Sequence, residues 1–408
     1  MNARTIRLDR DLNPVAIGAR SGLLWARDDL ALAGVGEVLR LPVTRPGGVG
    51  TVQDQLRAMA GPDELEVPGS GPVAFGAFPF DPTMPGELVV PELLVGRGPE
   101  GRRWLTIVDD GGGSADDAVA RLCDLASDEH PASEPSRIEV ESVLPPDVWC
   151  DDVVTPVRDR IRAGELVKTV LARELVVTAD VPIDTARVIR RLHQRFGTAI
   201  VFALDGFVGA SPELLVSRSR DVVKAHPLAG TAARSSDPQV DGRLAAGLLT
   251  SNKDHIEHRI TIDWLLDTLL PFCSYVDAEP EPTLVSLANV HHLGTRVQGR
   301  LSSPPASVLE LVEALHPTPA VGGDPQGLAL ELIARYEQAD RGRYAGPVGW
   351  VDGNGNGAFA VAIRSAQISG PTARVFAGVG VVADSDPQAE LAETRAKFQA
   401  MLGSLLEI

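Results

Sequence analysis

Gly346-Pro-Val-Gly-Trp-Val-Asp352, Gly353-Asn-Gly-Asn-Gly357 and Ala358-Phe-Ala-Val-Ala-Ile-Arg364 follow one another without interruption. The outer runs carry β-branched, aromatic and small residues. The middle run is Gly and Asn, which supply the positive φ angles of a tight hairpin. The stretch predicts strands over 346–352 and 358–368, paired antiparallel. Downstream, the apolar run 375–382 reads as a buried strand. Asp386-Pro387 then opens a helix to about residue 406, with Pro well placed in its first turn. Upstream, 168–178 reads as a strand rich in Val and Leu, and 199–209 and 214–217 as neighbouring strands around a turn. Helices are expected over 116–127, 151–163, 251–270 and 308–314. The helix at 251–270 is opened by Ser251 with Asp254 three residues on, which resembles a capping box. Strand pairs mix with helices without regular βαβ alternation. That predicts an α+β fold with large antiparallel sheets flanked by helices.

With 408 residues, 44% of them hydrophobic, the chain can bury a large core. Its formal charge of −17 argues against a nucleic-acid partner, which needs clustered Lys and Arg. The first ten residues carry charges of both signs and no apolar core, so no secretory signal is expected. No run reaches the roughly 18 apolar residues of a membrane span. Three scattered cysteines, Cys123, Cys150 and Cys273, suit a reducing cytoplasm better than a disulfide framework. Residues 109–145 are polar and acidic and read as a connection.

Of 38 basic residues only four are lysines: Lys168, Lys224, Lys253 and Lys397. Lysine, unlike arginine, loses its proton in a desolvated site, so a lysine kept in an arginine-rich chain is a candidate for chemistry. Surface retention by chance is the plain alternative. Lys168 enters a β-branched strand, where burial would make it a usable base. Glu213, in Gly209-Ala-Ser-Pro-Glu213, stands at an apolar strand start, where a carboxyl can be held protonated and act as an acid. For both, a strand-edge charge facing water is the alternative.

On the C-terminal helix, Leu391, Phe398, Leu402 and Leu405 form an apolar stripe. Glu390, Glu393 and Lys397 share another face. Two carboxylates one turn apart suit a hard cation such as Mg²⁺, although spacing alone favours a solvated Glu–Lys face. Glu257, on the 251–270 helix, is a further candidate ligand or a surface ion-pair member. Ile256, Ile260 and Leu266 are expected on that helix's buried side. His255 and His258 complete no zinc spacing. Period-two alternation puts Arg364 on a small-residue face with Ala358, Ala360 and Ala362, poised for an anion or an internal salt bridge. Gly378 and Gly380 would let backbone approach a ligand near a helix start. Gly378-Val-Gly-Val-Val-Ala383 is not a dinucleotide fingerprint, because no second βαβ half follows.

Seven ordered motifs together resemble the chorismate-utilising enzymes. They are the Lys168 strand, Gly209-Ala-Ser-Pro-Glu213, Ala225-His-Pro-Leu-Ala-Gly-Thr231, Ser251-Asn-Lys-Asp-His-Ile-Glu-His258, Leu315-His-Pro-Thr-Pro-Ala-Val-Gly-Gly323, Tyr344-Ala-Gly-Pro-Val-Gly349 and Ala377-Gly-Val-Gly-Val-Val-Ala-Asp-Ser-Asp-Pro387. They span residues 147–408, the expected chorismate-binding catalytic region. Residues 1–146 are expected to belong to the same fold, and Pro79-Phe-Asp81 also resembles the N-terminal part of isochorismate synthases. The resemblance implies a single large domain like the anthranilate synthase large subunit.

It also implies roles. Glu257 and Glu393 would bind Mg²⁺ with Glu390 close by. Arg364, Lys397 and the backbone at Gly378 would hold substrate carboxylates. Gly230, Thr231, His292 and Ala320 would line the pocket. Lys168 matches the position of a base for water, and Glu213 that of an acid for a departing hydroxyl. This implies the isochorismate synthase branch: water added at C2 of chorismate, the C4 hydroxyl expelled. Ala229 stands where aminodeoxychorismate synthases often carry a lysine, and Ala320 where salicylate synthases tend to have Thr. A salicylate synthase or an anthranilate synthase large subunit is the alternative. No obligate amidotransferase partner and no membrane partner are expected. Supply of siderophore or menaquinone synthesis would follow. Asn252 and Asp324 depart from the family's usual residues.

Overall fold

A computed structural model describes residues 1–27, 29–44, 47–127 and 135–406. Among these, the strands form one twelve-stranded sheet, one nine-stranded sheet and one of three strands. Every strand pairing in the three sheets is antiparallel, as the hairpin signals predict. Residues 128–134 of the acidic stretch lie outside the described residues.

Period-two alternation builds the layers. In Ile200–Leu204, Phe202 points to an apolar layer shared with Trp25, Leu32, Phe75, Leu214 and Trp350. These residues come from both large sheets, so this layer is the filling of a sandwich. Val201 faces the opposite way, with Ile17, Leu122, Ile189 and Phe398 from helices covering the twelve-stranded sheet. On the nine-stranded sheet, Phe359 and Val351 face outward onto Leu56, Leu269, Leu309 and Ile333 from a second set of helices. The order is helix, sheet, sheet, helix. The first 146 residues contribute strands to both large sheets, among them Leu23–Arg27 beside Ile200–Leu204 and Val73–Ala77 beside Pro347–Asp352.

The C-terminal helix is Pro387–Leu405, capped by the Asp386 carboxylate on the Ala389 amide. The helix Asn252–Leu269 is capped by Ser251 on the Asp254 amide. The helix expected over 151–163 begins instead as a π-turn, Trp149–Val154, and continues as Thr155–Arg162.

Three expectations need correction. The 199–209 stretch is itself a hairpin, Ile200–Leu204 with Phe207–Ser211, turning at Asp205-Gly206. Both turn residues have positive φ, 50° and 73°, as a two-residue hairpin turn demands. The next strand, Leu214–Ser219, lies in the other large sheet. Likewise the strand expected over 358–368 breaks in two. Gly357–Val361 belongs to the nine-stranded sheet and Ser365–Ser369 to the twelve-stranded one. The chain crosses at Arg364, whose φ is 53°. Alternation therefore does not carry through to Arg364. Finally, Ile256 is 64% exposed; His258, Thr261, Ile262, Leu265 and Leu269 form the buried side of that helix.

Candidate active site

The strand Lys168–Ala179 pairs along its length with Thr372–Val381. Gly378 and Gly380 sit inside this ladder, opposite Ala172 and Val170, and not at a helix start. Val170 and Ala172 turn their own amides and carbonyls to the opposite edge of their strand, so this ladder does not consume the backbone groups of the two glycines, and Gly378 O accepts instead from Lys397 Nζ. The glycines also provide room. A Cβ on Gly380 would stand 2.7 Å from Glu257 Oε1 and 2.9 Å from Lys168 Cε. A Cβ on Gly378 would stand 3.0 Å from the Tyr344 hydroxyl.

Above these glycines lies a cavity of about 90 Å³. It gathers Glu213, Gly230, Thr231, Glu257, His292, Ala320, Arg364, Gly378, Glu390, Glu393 and Lys397, eleven of the twelve residues singled out from sequence. The twelfth, Lys168, is 1% exposed and reaches Glu257, with Nζ 2.7 Å from Oε1. A second lysine repeats the arrangement: Lys397 Nζ lies 2.6 Å from Glu393 Oε1 and donates to Gly378 O at 2.9 Å. Two helices thus each present a glutamate to the cavity, and each glutamate is ion-paired to a lysine. Glu390, 5% exposed, adds a third carboxylate. Among the described residues no three such ligands are gathered tightly around one point.

Glu213 sits just before the strand Leu214–Ser219, held by its backbone: its amide bonds to Ser211 Oγ and its carbonyl accepts from Val361 N–H. Its side chain is fully enclosed. Loss of water pushes its pKa up to about 8, against the Leu228 amide and the charges of Lys168, Arg364 and Lys397, which favour the anion. At neutral pH this carboxyl is an acid that still holds its proton.

Arg364 is 6% exposed, and the crossover between sheets delivers it to the cavity. Its Nη2 donates to His292 Nε2 at 3.0 Å, and its Nε has no hydrogen-bond partner among the described residues. A buried guanidinium donor of this kind points to an anion ligand and not to the internal salt bridge. Because Nε2 accepts, the network assigns the His292 proton to Nδ1, which lies 3.2 Å from Gly230 O and 3.1 Å from Thr231 Oγ1. Burial, then the charges of Arg364 and Lys397, hold the His292 pKa far below its usual value. His292 is a neutral prop that ties Gly230 and Thr231 to the guanidinium.

Sequence reasoning quoted Tyr344 in a motif but gave it no role. Its ring stacks on Phe376 at 5.2 Å, and its hydroxyl faces Gly378 in the same cavity. Burial raises its pKa, so it stays a phenol. Val170, Val321 and Ile363 supply apolar wall. A larger cleft of about 820 Å³, bordered by Trp25, Trp104 and Trp350, holds none of these twelve; of the four lysines only Lys224 borders it. The candidate residues converge on the smaller space.

Residues 18–406 match the family model described as chorismate binding enzyme. The chain belongs to this family. Isochorismate synthase MenF of Bacillus subtilis is 36% identical over 362 residues, covering 84% of this chain and 76% of that protein. Isochorismate synthase DhbC of the same organism is 38% identical over 347 residues, covering 82% and 81%. The solved structure of the menaquinone-specific isochorismate synthase MenF of Escherichia coli superposes with a TM-score of 0.81 at 25% identity, covering 99% of this chain and 95% of that one. Among chorismate-binding enzymes, then, this chain keeps the whole fold, and no helix of its described residues is long and apolar enough to cross a membrane.

Proposed function

We propose that this chorismate-binding enzyme is an isochorismate synthase, an isomerase that adds water at C2 of chorismate and expels the C4 hydroxyl. The observation that carries the reading is a buried lysine, Lys168, ion-paired to Glu257 on the cavity that also encloses Glu213, a carboxyl pushed up by burial to about 8. Water is a poor nucleophile and hydroxide a poor leaving group. One group must take a proton from the first and another give one to the second. Lys168 Nζ takes the proton of the attacking water. Glu213 gives its carboxyl proton to the departing C4 oxygen. As the C2–O bond forms and the C4–O bond breaks, the two ring double bonds shift along the ring; the product keeps the same bond types as the substrate, so the equilibrium is near balance.

The carboxylates of chorismate need cations. Arg364 offers its unpartnered Nε to one of them. Lys397 and the Tyr344 hydroxyl face the same space. The donor set also fits Mg²⁺, because Glu257, Glu390 and Glu393 present only carboxylate oxygens to one cavity. Mg²⁺ takes one or two protein carboxylates and completes its shell with ligand oxygens and water. Glu257 and Glu393 would hold it, with Glu390 beside them, and bound Mg²⁺ supplies positive charge against a substrate carboxylate. Taking up Glu257 and Glu393 would release both lysines from their ion pairs. That rearrangement enlarges a cavity well below the roughly 300 Å³ usual for a small ligand. The free thiols of Cys123, Cys150 and Cys273 support a reducing, cytoplasmic setting for this activity.

The test is product analysis. Purified protein with chorismate and Mg²⁺ should yield isochorismate, and Lys168→Ala should lower kcat by roughly 10²–10⁴-fold. Fluorescent salicylate as the main product, or full turnover by Lys168→Ala, would overturn the assignment.

A further inference from the structure

The ladder on one edge of the Lys168–Ala179 strand is incomplete. Lys168 and Thr169 pair with Gly323–Asp324, and Leu175 to Ala179 pair with Ile138–Ser142. Between these partners the strand has no neighbour on that side. Its polar groups there are nonetheless satisfied. The Val170 amide donates to Gly322 O at 2.9 Å. The Val170 carbonyl accepts from Arg341 Nη2 at 2.7 Å. The Ala172 amide donates to Glu337 Oε1 at 2.7 Å, and the Ala172 carbonyl accepts from Trp149 Nε1 at 3.2 Å.

Arg341 and Glu337 are ion-paired to each other, Nε to Oε2 at 2.8 Å and Nη2 to Oε1 more closely still. Both side chains are 2% exposed. Arg341 Nη1 donates to Val321 O at 3.0 Å, and its guanidinium lies 4.1 Å over the Phe80 ring. A buried ion pair returns little net stability, because removing both charges from water offsets their attraction. Here the pair supplies a donor and an acceptor in the places where a neighbouring strand would have supplied them.

We propose that Arg341 and Glu337 are positioning residues for Lys168. Their ion pair replaces the missing strand and fixes the backbone two and four residues beyond the lysine. Lys168, Val170 and Ala172 project to one face by alternation, so the register of Val170 and Ala172 sets where the Lys168 amine stands. The same guanidinium grips Val321, next to Ala320 on the far cavity wall, so one group spaces strand and wall. This inference rests on Lys168 acting as the base.

The test compares four full-length proteins for chorismate turnover with Mg²⁺: the natural chain, Lys168→Ala, Arg341→Lys and the double variant. Lysine at 341 keeps the charge and loses the fork that reaches two carbonyls. Arg341→Lys should lower kcat roughly 10- to 100-fold with KM within about twofold. In the Lys168→Ala background the same change should cost nothing further, because its effect passes through the missing amine. An unchanged kcat, or the same fold-loss in both backgrounds, overturns the proposal and leaves a structural clamp. Near-normal turnover by Lys168→Ala alone identifies the base assignment as the failure instead. If Arg341→Lys gives no folded protein by circular dichroism, Glu337→Gln replaces it in the same comparison. Its amide oxygen still accepts from Ala172 but no longer charge-pairs Arg341.

Discussion

Replacing Glu213 by glutamine should make the protein more stable and nearly inactive, and the size of the first effect follows from enclosure. The Glu213 carboxyl titrates near its ordinary value of 4.5 when the chain is unfolded, and at about 8 when folded. Between these values the folded state holds a proton that the unfolded state has released. The associated stability is therefore fully present below about pH 4.5 and is lost progressively as pH rises towards 8. At pH 7 the loss spans two and a half pH units at about 1.4 kcal/mol each, which is on the order of 3 kcal/mol. Glutamine matches the neutral acid in shape and carries no such dependence. Urea unfolding of both proteins should give nearly equal stability at about pH 5. The variant should then gain an advantage that grows to roughly 3 kcal/mol at pH 7. In the same preparations turnover should fall roughly 10²–10⁴-fold, and kcat/KM of the natural enzyme should decline as pH rises through about 8. A variant no more stable than the natural chain at pH 7, with a difference flat in pH, would mean that Glu213 enters the fold ionised. It could not then be the acid.

Two further outcomes follow from the cavity. Glu257→Gln and Glu393→Gln should each weaken Mg²⁺ binding at least about tenfold by isothermal titration in the presence of substrate, since each removes a charged oxygen donor. Unaltered affinity in both would remove the metal from this place. Arg364→Lys should raise KM for chorismate by roughly tenfold or more in steady-state assays, because an ammonium cannot bond His292 and a carboxylate in one plane. A KM within twofold of normal would count against anion binding at this guanidinium.

Much of the fold is legible in local chemistry. Asp386 and Ser251 cap the helices that carry Glu390, Glu393 and Glu257, although Ser251 supplies only the forward half of a capping box, its own amide bonding Leu248 O. The Gly353–Gly357 cluster turns the hairpin expected of it. What escaped is which sheet a strand joins, because alternation of apolar residues is the same in both. Arg364 shows the consequence: its apparent face on a strand is the point where the chain leaves one sheet for the other. Asp205-Gly206 was a hairpin signal hidden by apolar residues on both sides. Ile256 seemed to belong to a buried stripe, yet the stripe starts at His258, whose ring bonds Thr295 Oγ1 and is buried despite its polarity. Tyr344 carries no charge and sits in no periodic pattern, so nothing local marked it as part of the cavity. The candidate residues themselves were found as separate letters; only folding gathers them.

The scarcity of lysine gives this enzyme an unusually sparse chemical fingerprint. Lys168 is buried, Lys397 half-buried, and both are ion-paired, whereas Lys224 is exposed on a strand. Amine-directed acylating reagents therefore meet few targets, and two of those report on the candidate cavity, Lys397 from its lining and Lys168 from its contact with Glu257. Acyl uptake at each lysine, followed by peptide mass spectrometry, would sense the opening of that interior directly, with no dye or tag added.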